Sequence, residues 1–522
     1  MDFDAKIKEA RASMSIPALI LAVAAAARLA LLGIKPPHFD EGVNGWFVDQ
    51  MTHTGFYHYD PTNYHGPLHF YVLFLAQTLL GRHIWALRLP LALASVAAVW
   101  LTMRFDRFVG RNAALWGAAA MAVSPGCVFY GRYAIHEYWL VFSLMLGAWG
   151  LAGLWKEGKK KYLWALWICI TGAVLTKETY IIHFVACGLA LPCVWVVGKV
   201  SAAKESGGPA KQEWKWRDMA LGAAVFVFCV LFFYSGGFMD LPGLKGLYQC
   251  YGAWFQTGKV GNGHEKPWYY WMQLFGRYEW PCCIGLLTAA LCVLPRTPRF
   301  IRALAIYGVG TLVAYSIVHY KTPWCIVSLT WPFLILFGYG MHVASRKFGS
   351  PMPVGVVGAT VLLANLCDMV ALNFYHFTDA KEPYVYVQTF MDVNLLMDPL
   401  NKLVARDPAN HQLSGYIVMD SYHPLPWLLG DFPNVGYYED ESDPPKGDAD
   451  FLMVEETRID DVETHLHDAY FTTMLTLRDA EDPAKLYLNV KKFQSVFPGR
   501  KPDFTPAKTA PAVPVPTPSA AK

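Results

Sequence analysis

The chain has 522 residues, of which 54% are hydrophobic, 15% aromatic and only 16% charged, with a formal net charge of +3. A soluble domain carries about 25% charged residues, so this composition excludes an ordinary soluble enzyme. The small net charge, with no basic stripe, excludes a nucleic-acid binder. The eleven cysteines lie mostly in apolar runs and include no C-x-x-C pair, which excludes a zinc ribbon or a disulfide framework.

In chain order, MDFDAKIKEARASMS leads into an apolar stretch at 16–34. It is longer than a signal-peptide core and many others follow, so it reads as an uncleaved first helix. Runs at 89–103, 113–129, 138–155, 162–176, 179–198, 219–235, 280–294, 303–318, 323–344 and 353–372 are nearly free of charge. Each approaches the roughly 20 residues that span hydrocarbon. PLHFYVLFLAQTLLG, 67–81, is short for a span and opens on Pro67, a favoured first helical residue. It predicts a juxtamembrane helix at the outer interface.

With 67–81 outside the bilayer, basic clusters alternate with poorer loops along the chain. Lys6/Lys8/Arg11, Arg104/Arg107/Arg111, Lys156/Lys159/Lys160/Lys161, Lys199/Lys204/Lys211/Lys215/Arg217, Arg296/Arg299/Arg302 and Arg346/Lys347 mark cytoplasmic loops. The expectation is a polytopic α-helical membrane domain over 1–374 with about eleven spans and a cytoplasmic N-terminus. Its outer loops include 35–87 and a long one at 236–276, whose Trp and Tyr suit interfacial anchoring as well as function.

Beyond 374 the pattern changes. EPYVYVQTFMDVNLLMDPLNKLVARDP, 382–408, has apolar spacings of three and four and predicts a helix. Runs at 415–421, 435–440, 449–456, 470–478 and 485–491 predict strands. Together they predict an extracytoplasmic α/β domain at 375–500, large enough for one core. The Pro/Ala-rich 501–522 reads as a disordered tail.

The outer ends of the spans collect ionisable residues: His38, Asp40 and Glu41; His65 in NYHGPLHF; Arg132, His136 and Glu137 in GRYAIHE; Lys177 and Glu178 in TKET; His319, Lys321 and Trp324 in HYKTPW. Acids and bases at one depth suit transfer from a lipid-phosphate donor. A carboxylate takes the acceptor's proton, and cations hold the departing phosphate. Each residue also has a plainer reading. Asp40 and Glu41 would be solvated or capping acids, Glu137 a first-turn acid, Lys177 and Glu178 a local pair, and Arg132 and Lys321 snorkelling cations.

HFDEG, NYHGPLHFY, RLPLALA, GRYAIHE, TKET, HYKTPW, PYVYVQT and HPLPWLL resemble the GT-C glycosyltransferases, in the protein mannosyltransferase and aminoarabinose transferase branch. They look closer still to the flippase-activity-associated family of predicted glycosyltransferases. The resemblance spans 38 to about 440. It departs in showing Gly66-Pro67 where the mannosyltransferase group has a double proline. It implies the GT-C membrane fold, an outward-facing site, a polyprenyl-phosphate-linked sugar donor, and a glycan, lipid or protein acceptor. It implies Asp40 as catalytic base with Glu41 beside it, and Lys321 near the donor phosphate. Arg132 and Lys177 are the further phosphate candidates. His38, His65, His136, Glu137, Glu178, His319 and Trp324 are the substrate-binding candidates.

No metal is expected, since no helical H-x-x-x-H or H-E-x-x-H spacing supports zinc; the competing arrangement is a divalent metal on Asp40, Glu41 and His136. The competing functions are a lipid-glycan flippase or transporter and a non-catalytic assembly factor. The span centres carry no Asp or Glu, which argues against ion coupling.

Overall fold

The structure, a computed structural model, describes residues 2–200, 210–260, 263–292, 297–439, 445–479 and 481–506, without the side chains of 2–14 and 198–200. The tail beyond 506, Lys204, Arg296 and the side chain of Lys199 therefore lie outside the described residues. The chain divides into two compact units: Met1–Lys35 with Asn44–Tyr386, and Pro36–Val43 with Val387–Lys522.

The first unit is helical. Its helices are α1 (Asp2–Leu29), α2 (Phe39–Thr54, whose residues from Asn44 belong here), α3 (Leu68–Leu80), α4 (Ile84–Met103), α5 (Arg111–Val123), α6 (Pro125–Gly131), α7 (Glu137–Glu157) and α8 (Lys160–Val174). There follow α9 (Tyr180–Val200), α10 (Trp216–Tyr234), α11 (Gly246–Val260), α12 (Tyr270–Tyr278), α13 (Trp280–Cys292), α14 (Arg299–Ile317), α15 (Ile326–Lys347) and α16 (Pro351–Val370). Among the described residues, seven helices are long and apolar enough to cross a membrane, or eight if the bent pair α5–α6 is one span. Ser15–Leu29, Leu68–Leu80 and Trp280–Cys292 are shorter apolar helices. The chain is a multi-pass membrane protein. Large apolar side chains such as Leu79, Leu189, Leu287 and Leu363 are exposed, as lipid-facing residues are. At about 1.5 Å per residue, α3 reaches about 20 Å, short of the roughly 30 Å hydrocarbon layer.

The bend between α5 and α6 is 59°, and polar side chains satisfy both sides of the break. Arg28, fully buried, donates to the carbonyls of Met121 (2.9 Å) and Ala122 (3.0 Å) and to Ser95 Oγ (2.6 Å). On the other side Glu279 accepts from Ser124 Oγ (2.7 Å) and the Gly126 amide (2.8 Å). Ser124 Oγ accepts from the Cys127 amide, as an N-cap. A helix broken within an apolar environment needs such partners for its freed backbone groups.

The second unit carries a five-stranded sheet of order β2-β1-β3-β5-β4. The strands are β1 (Gly415–Val418), β2 (Val435–Tyr438), β3 (Phe451–Glu455), β4 (Tyr470–Leu475) and β5 (Ala484–Asn489). β1 pairs in parallel with β2 and β3, while β5 runs antiparallel to β3 and β4. All five expected strands form. Alternate residues go to opposite faces: Ile417, Phe451, Met453, Leu486 and Leu488 join one core, and Val418, Leu452, Val454 and Tyr487 another.

The helix expected over 382–408 is shorter. α17 covers Asn394–Arg406, after a 3-10 turn at Met391–Val393. Upstream, Val387 has φ of +54°, a conformation that a β-branched residue adopts only under constraint. Gln388 Nε2 donates to the Pro36 carbonyl at 3.0 Å. Tertiary pairing with 36–38 thus overrides the helical period.

Candidate active site

Each unit brings together some of the expected residues. In the second unit, the segment Pro36–Val43 is held by a bridge between His38 and Gln388. Gly42 approaches Pro424 so closely that a Cβ at residue 42 would lie 2.3 Å from the Pro424 Cβ. Here α2 begins. His38 Nδ1 accepts the Asp40 amide at 3.0 Å, and Glu41 reaches back to the His38 amide at 2.8 Å. This is a reciprocal cap, so His38 and Glu41, both buried, have a structural occupation. Asp40 is half-buried, and among the described residues its carboxylate accepts no hydrogen bond.

Two neighbours of Asp40 were missed by the sequence reading. The His423 ring packs edge-on to Phe39 at 5.3 Å, and the Arg478 guanidinium lies 4.9 Å from the Phe39 ring centre. Arg478 is buried and donates to Glu481, to the His423 carbonyl and to Ser421. Burial and then Arg478 push the His423 imidazole down to about 4, against the opposing pull of Asp40. The HPLPWLL motif contained His423; nothing local in the sequence marked Arg478.

In the first unit, three of the junctions expected to face outward meet. Lys177 makes a buried ion pair with Glu137. His65 Nδ1 lies 2.9 Å from Glu178 Oε2, the His65 side chain 24% exposed and Glu178 only 3%. The His136 ring stands 4.5 Å from His65 and 4.1 Å from His69. His69 is fixed by the Ala134 carbonyl (3.1 Å) and Trp139 Nε1 (3.0 Å).

Backbone contacts hold His65 against the 175–178 turn. The Gly66 amide donates to the Thr176 carbonyl and the Leu68 amide to the Leu175 carbonyl, each at 3.0 Å. A Cβ at Gly66 would sit 2.2 Å from the Leu175 carbonyl carbon. This close approach is the physical reason that position 66 is a glycine.

Burial pushes the Glu178 carboxyl up, but His65 and then Lys177 outweigh it and hold it below its ordinary value. Burial would lower Lys177, but Glu137 outweighs it and holds the ammonium well above its usual range. His136 is pushed well down by burial, then by His69, His65 and Lys177. It is neutral, and its Nε2 has no partner among the described residues.

The fourth junction, HYKTPW, pairs mainly with the long loop. Glu265 bridges Tyr320, and the Lys321 amide donates to the His264 carbonyl. Lys321 Nζ donates to the carbonyls of Lys266 (3.1 Å) and Val318. Trp324 is half-buried, its ring 6.2 Å from Tyr386, while His319 is exposed.

Arg132 is fully buried. Its terminal nitrogens donate to the carbonyls of Ala27 (3.0 Å), Ala30 (2.7 Å) and Leu31 (2.8 Å), capping the end of α1. Neither snorkelling nor an open phosphate fork describes it. Among the described residues no three His, Cys, Asp or Glu side chains are grouped to hold a metal.

The helical topology with its appended sheet has counterparts among solved structures. ArnT from Cupriavidus metallidurans bound to undecaprenyl phosphate aligns with a TM-score of 0.62 and 15% identity, over 90% of this chain and 97% of that one. The same protein in its apo state gives 0.57 and 16%, over 91% and 98%. The chain has the GT-C fold. The GT-C likeness extends to the Archaeoglobus fulgidus oligosaccharyltransferase in complex with Zn and sulfate, at a TM-score of 0.50 and 11% identity, over 91% of this chain and 73% of that one. The family described as dolichyl-phosphate-mannose-protein mannosyltransferase matches residues 64–233. That stretch holds His65, His136, Glu137, Lys177 and Glu178, but neither Asp40 nor 319–324. No curated protein matches the chain.

Proposed function

We propose that this GT-C protein is a glycosyltransferase that moves a sugar from a polyprenyl-phosphate-linked donor to an acceptor hydroxyl on the extracytoplasmic face, with Asp40 as general base. The observation that carries the reading is the state of Asp40. Its neighbours His38 and Glu41 take part in capping α2, whereas the Asp40 carboxylate accepts no hydrogen bond among the described residues. A half-buried carboxylate at a helix start whose oxygens are not held by hydrogen bonds among the described residues is suited to take a proton, and the acceptor oxygen then attacks the sugar's C1 as polyprenyl phosphate departs. The N-terminus is cytoplasmic and the second unit extracytoplasmic in this reading. The undecaprenyl phosphate bound by ArnT supports a polyprenyl carrier. The cap it forms with His38 supports a positioning part for Glu41 in this reading.

The test is sugar transfer in vesicles carrying the producing cell's polyprenyl-phosphate sugars, comparing wild type with Asp40→Asn at equal expression. A loss of about 100-fold or more in the variant is expected of a missing general base. Absence of transfer in both proteins, with lipid translocation intact in both, would replace this reading by the flippase.

A further inference from the structure

The first turn of α2 is built on residues from the far end of the chain, all of them in the second unit. Phe39 and Gly42, three residues apart, share one helix face. That face meets the turn after β1: the Phe39 ring stands 5.3 Å from the His423 ring at an angle of 70°, and Gly42 abuts Pro424. The Arg478 guanidinium, from the loop after β4, lies 4.9 Å from the Phe39 ring centre. Phe39 thus packs against both a cation and an imidazole, and Asp40 is the next residue. We infer that Arg478 is a positioning residue of the transfer reaction, holding the Asp40 carboxylate in place through Phe39. This rests on Asp40 being the general base and adds to that reading the side chains that aim it.

Arg478 is suited to the part because it is itself fixed. It is only 1% exposed. Its Nε donates to Glu481 (2.9 Å), and its terminal nitrogens donate to the Ser421 carbonyl (2.9 Å), to Ser421 Oγ (2.7 Å) and to the His423 carbonyl. One side chain therefore ties the loop after β1 to the loop after β4 and turns its planar face to Phe39. A guanidinium removed from water gains more from an aromatic face than an exposed one does.

The other side of Asp40 is restrained independently. The Pro36 carbonyl accepts from Gln388 at 3.0 Å, His38 bridges Gln388, and His38 and Glu41 close the turn with their cap. Electrostatics agrees with the placement. Burial lowers the His423 imidazole and the Arg478 guanidinium, and the Asp40 charge opposes that at both. A general base acts only within hydrogen-bond reach of the proton it takes, so a seat of this kind bears on rate rather than on donor affinity.

The experiment measures kcat and donor KM for transfer in vesicles, the donor varied by mole fraction. The proteins are wild type, Phe39→Leu, Phe39→Tyr, Arg478→Met and the double variant Phe39→Leu/Arg478→Met, with Asp40→Asn alongside. Detergent-solubilised melting identifies any that misfolds. Phe39→Leu and Arg478→Met should each lower kcat by about 10- to 100-fold with KM unchanged, the cost of misplacing a reacting group by about 1 Å. Phe39→Tyr keeps the ring and should recover most of that loss. Because Arg478 acts through Phe39, the double variant should be no slower than the slower single one, as coupled residues behave. Losses that multiply in the double variant would make Arg478 a brace of the 421–423 loop alone and overturn the inference. A folded Phe39→Leu with wild-type kcat, or a loss confined to KM, overturns it too. If Arg478→Met misfolds for want of partners for Glu481 and two carbonyls, the Phe39 variants decide: a slow Leu beside a recovered Tyr supports the inference, and equal rates overturn it. If Asp40→Asn is slow while folded Phe39→Leu is not, only this inference falls. If Asp40→Asn transfers as wild type does, or wild type transfers nothing, the reading beneath it falls and takes it along.

Discussion

Two regions of the helical unit bury charge in opposite ways. At the end of α1 and the α5–α6 break, Arg28 and Arg132 are fully buried and bonded largely to main-chain carbonyls. At the junction of His65 with the 137 and 177–178 turns, Lys177 pairs with Glu137 and His65 with Glu178. A guanidinium on carbonyls has no partner that changes charge, so it is a fixed brace. A carboxylate on an imidazole can exchange a proton, so it is equipped for chemistry. Burial of charge alone therefore separates nothing; the identity of the partner does.

The contrast can be broken by substitution. Lys177→Met leaves Glu137 buried without its counter-charge and should lower stability by about 3–5 kcal/mol, read by denaturation in detergent micelles. Adding Glu137→Gln should restore most of that loss, because the junction's partners are side chains. Arg132→Met should lose about 3 kcal/mol through orphaned carbonyls, and no second side-chain substitution should restore it. If one does, the brace is not held by the backbone.

Smaller effects sharpen the same distinction. Gly66→Ala drives a Cβ against the Leu175 carbonyl and should cost about 1–3 kcal/mol as overpacking. Because it shifts His65 off Glu178, it should also slow transfer; unchanged activity would sever the pair from function. Ser124→Ala removes the N-cap of α6 and should cost about 1 kcal/mol, visible in the same melts.

The last difference is in pH. The Glu178 carboxyl is held below its ordinary 4.5. Its contribution to stability is therefore complete above about that value and is lost as pH falls through the lower folded value. Acid unfolding should be less steep in Glu178→Gln, whereas Arg132→Met should leave its steepness as in wild type.

Much of this protein is written locally. The charge-free runs form helices and the five β-rich runs form strands, because apolar periodicity and turn residues act over a few neighbours. His38 and Glu41 stand three residues apart, so their cap is a sequence-range event as well. The fold's membrane character followed from that alone, and so did the choice of candidate residues at the span ends. The helix expected from 382 begins only at Asn394 because Gln388 is drawn to Pro36, 352 residues away in sequence. Likewise Arg132 and Arg478 found their partners, and His65 found Glu178 across 113 residues, through packing. A residue's type announces that it must be paired when buried; which partner it takes, and so whether it braces or reacts, depends on distances that exist only once the helices and the sheet have assembled.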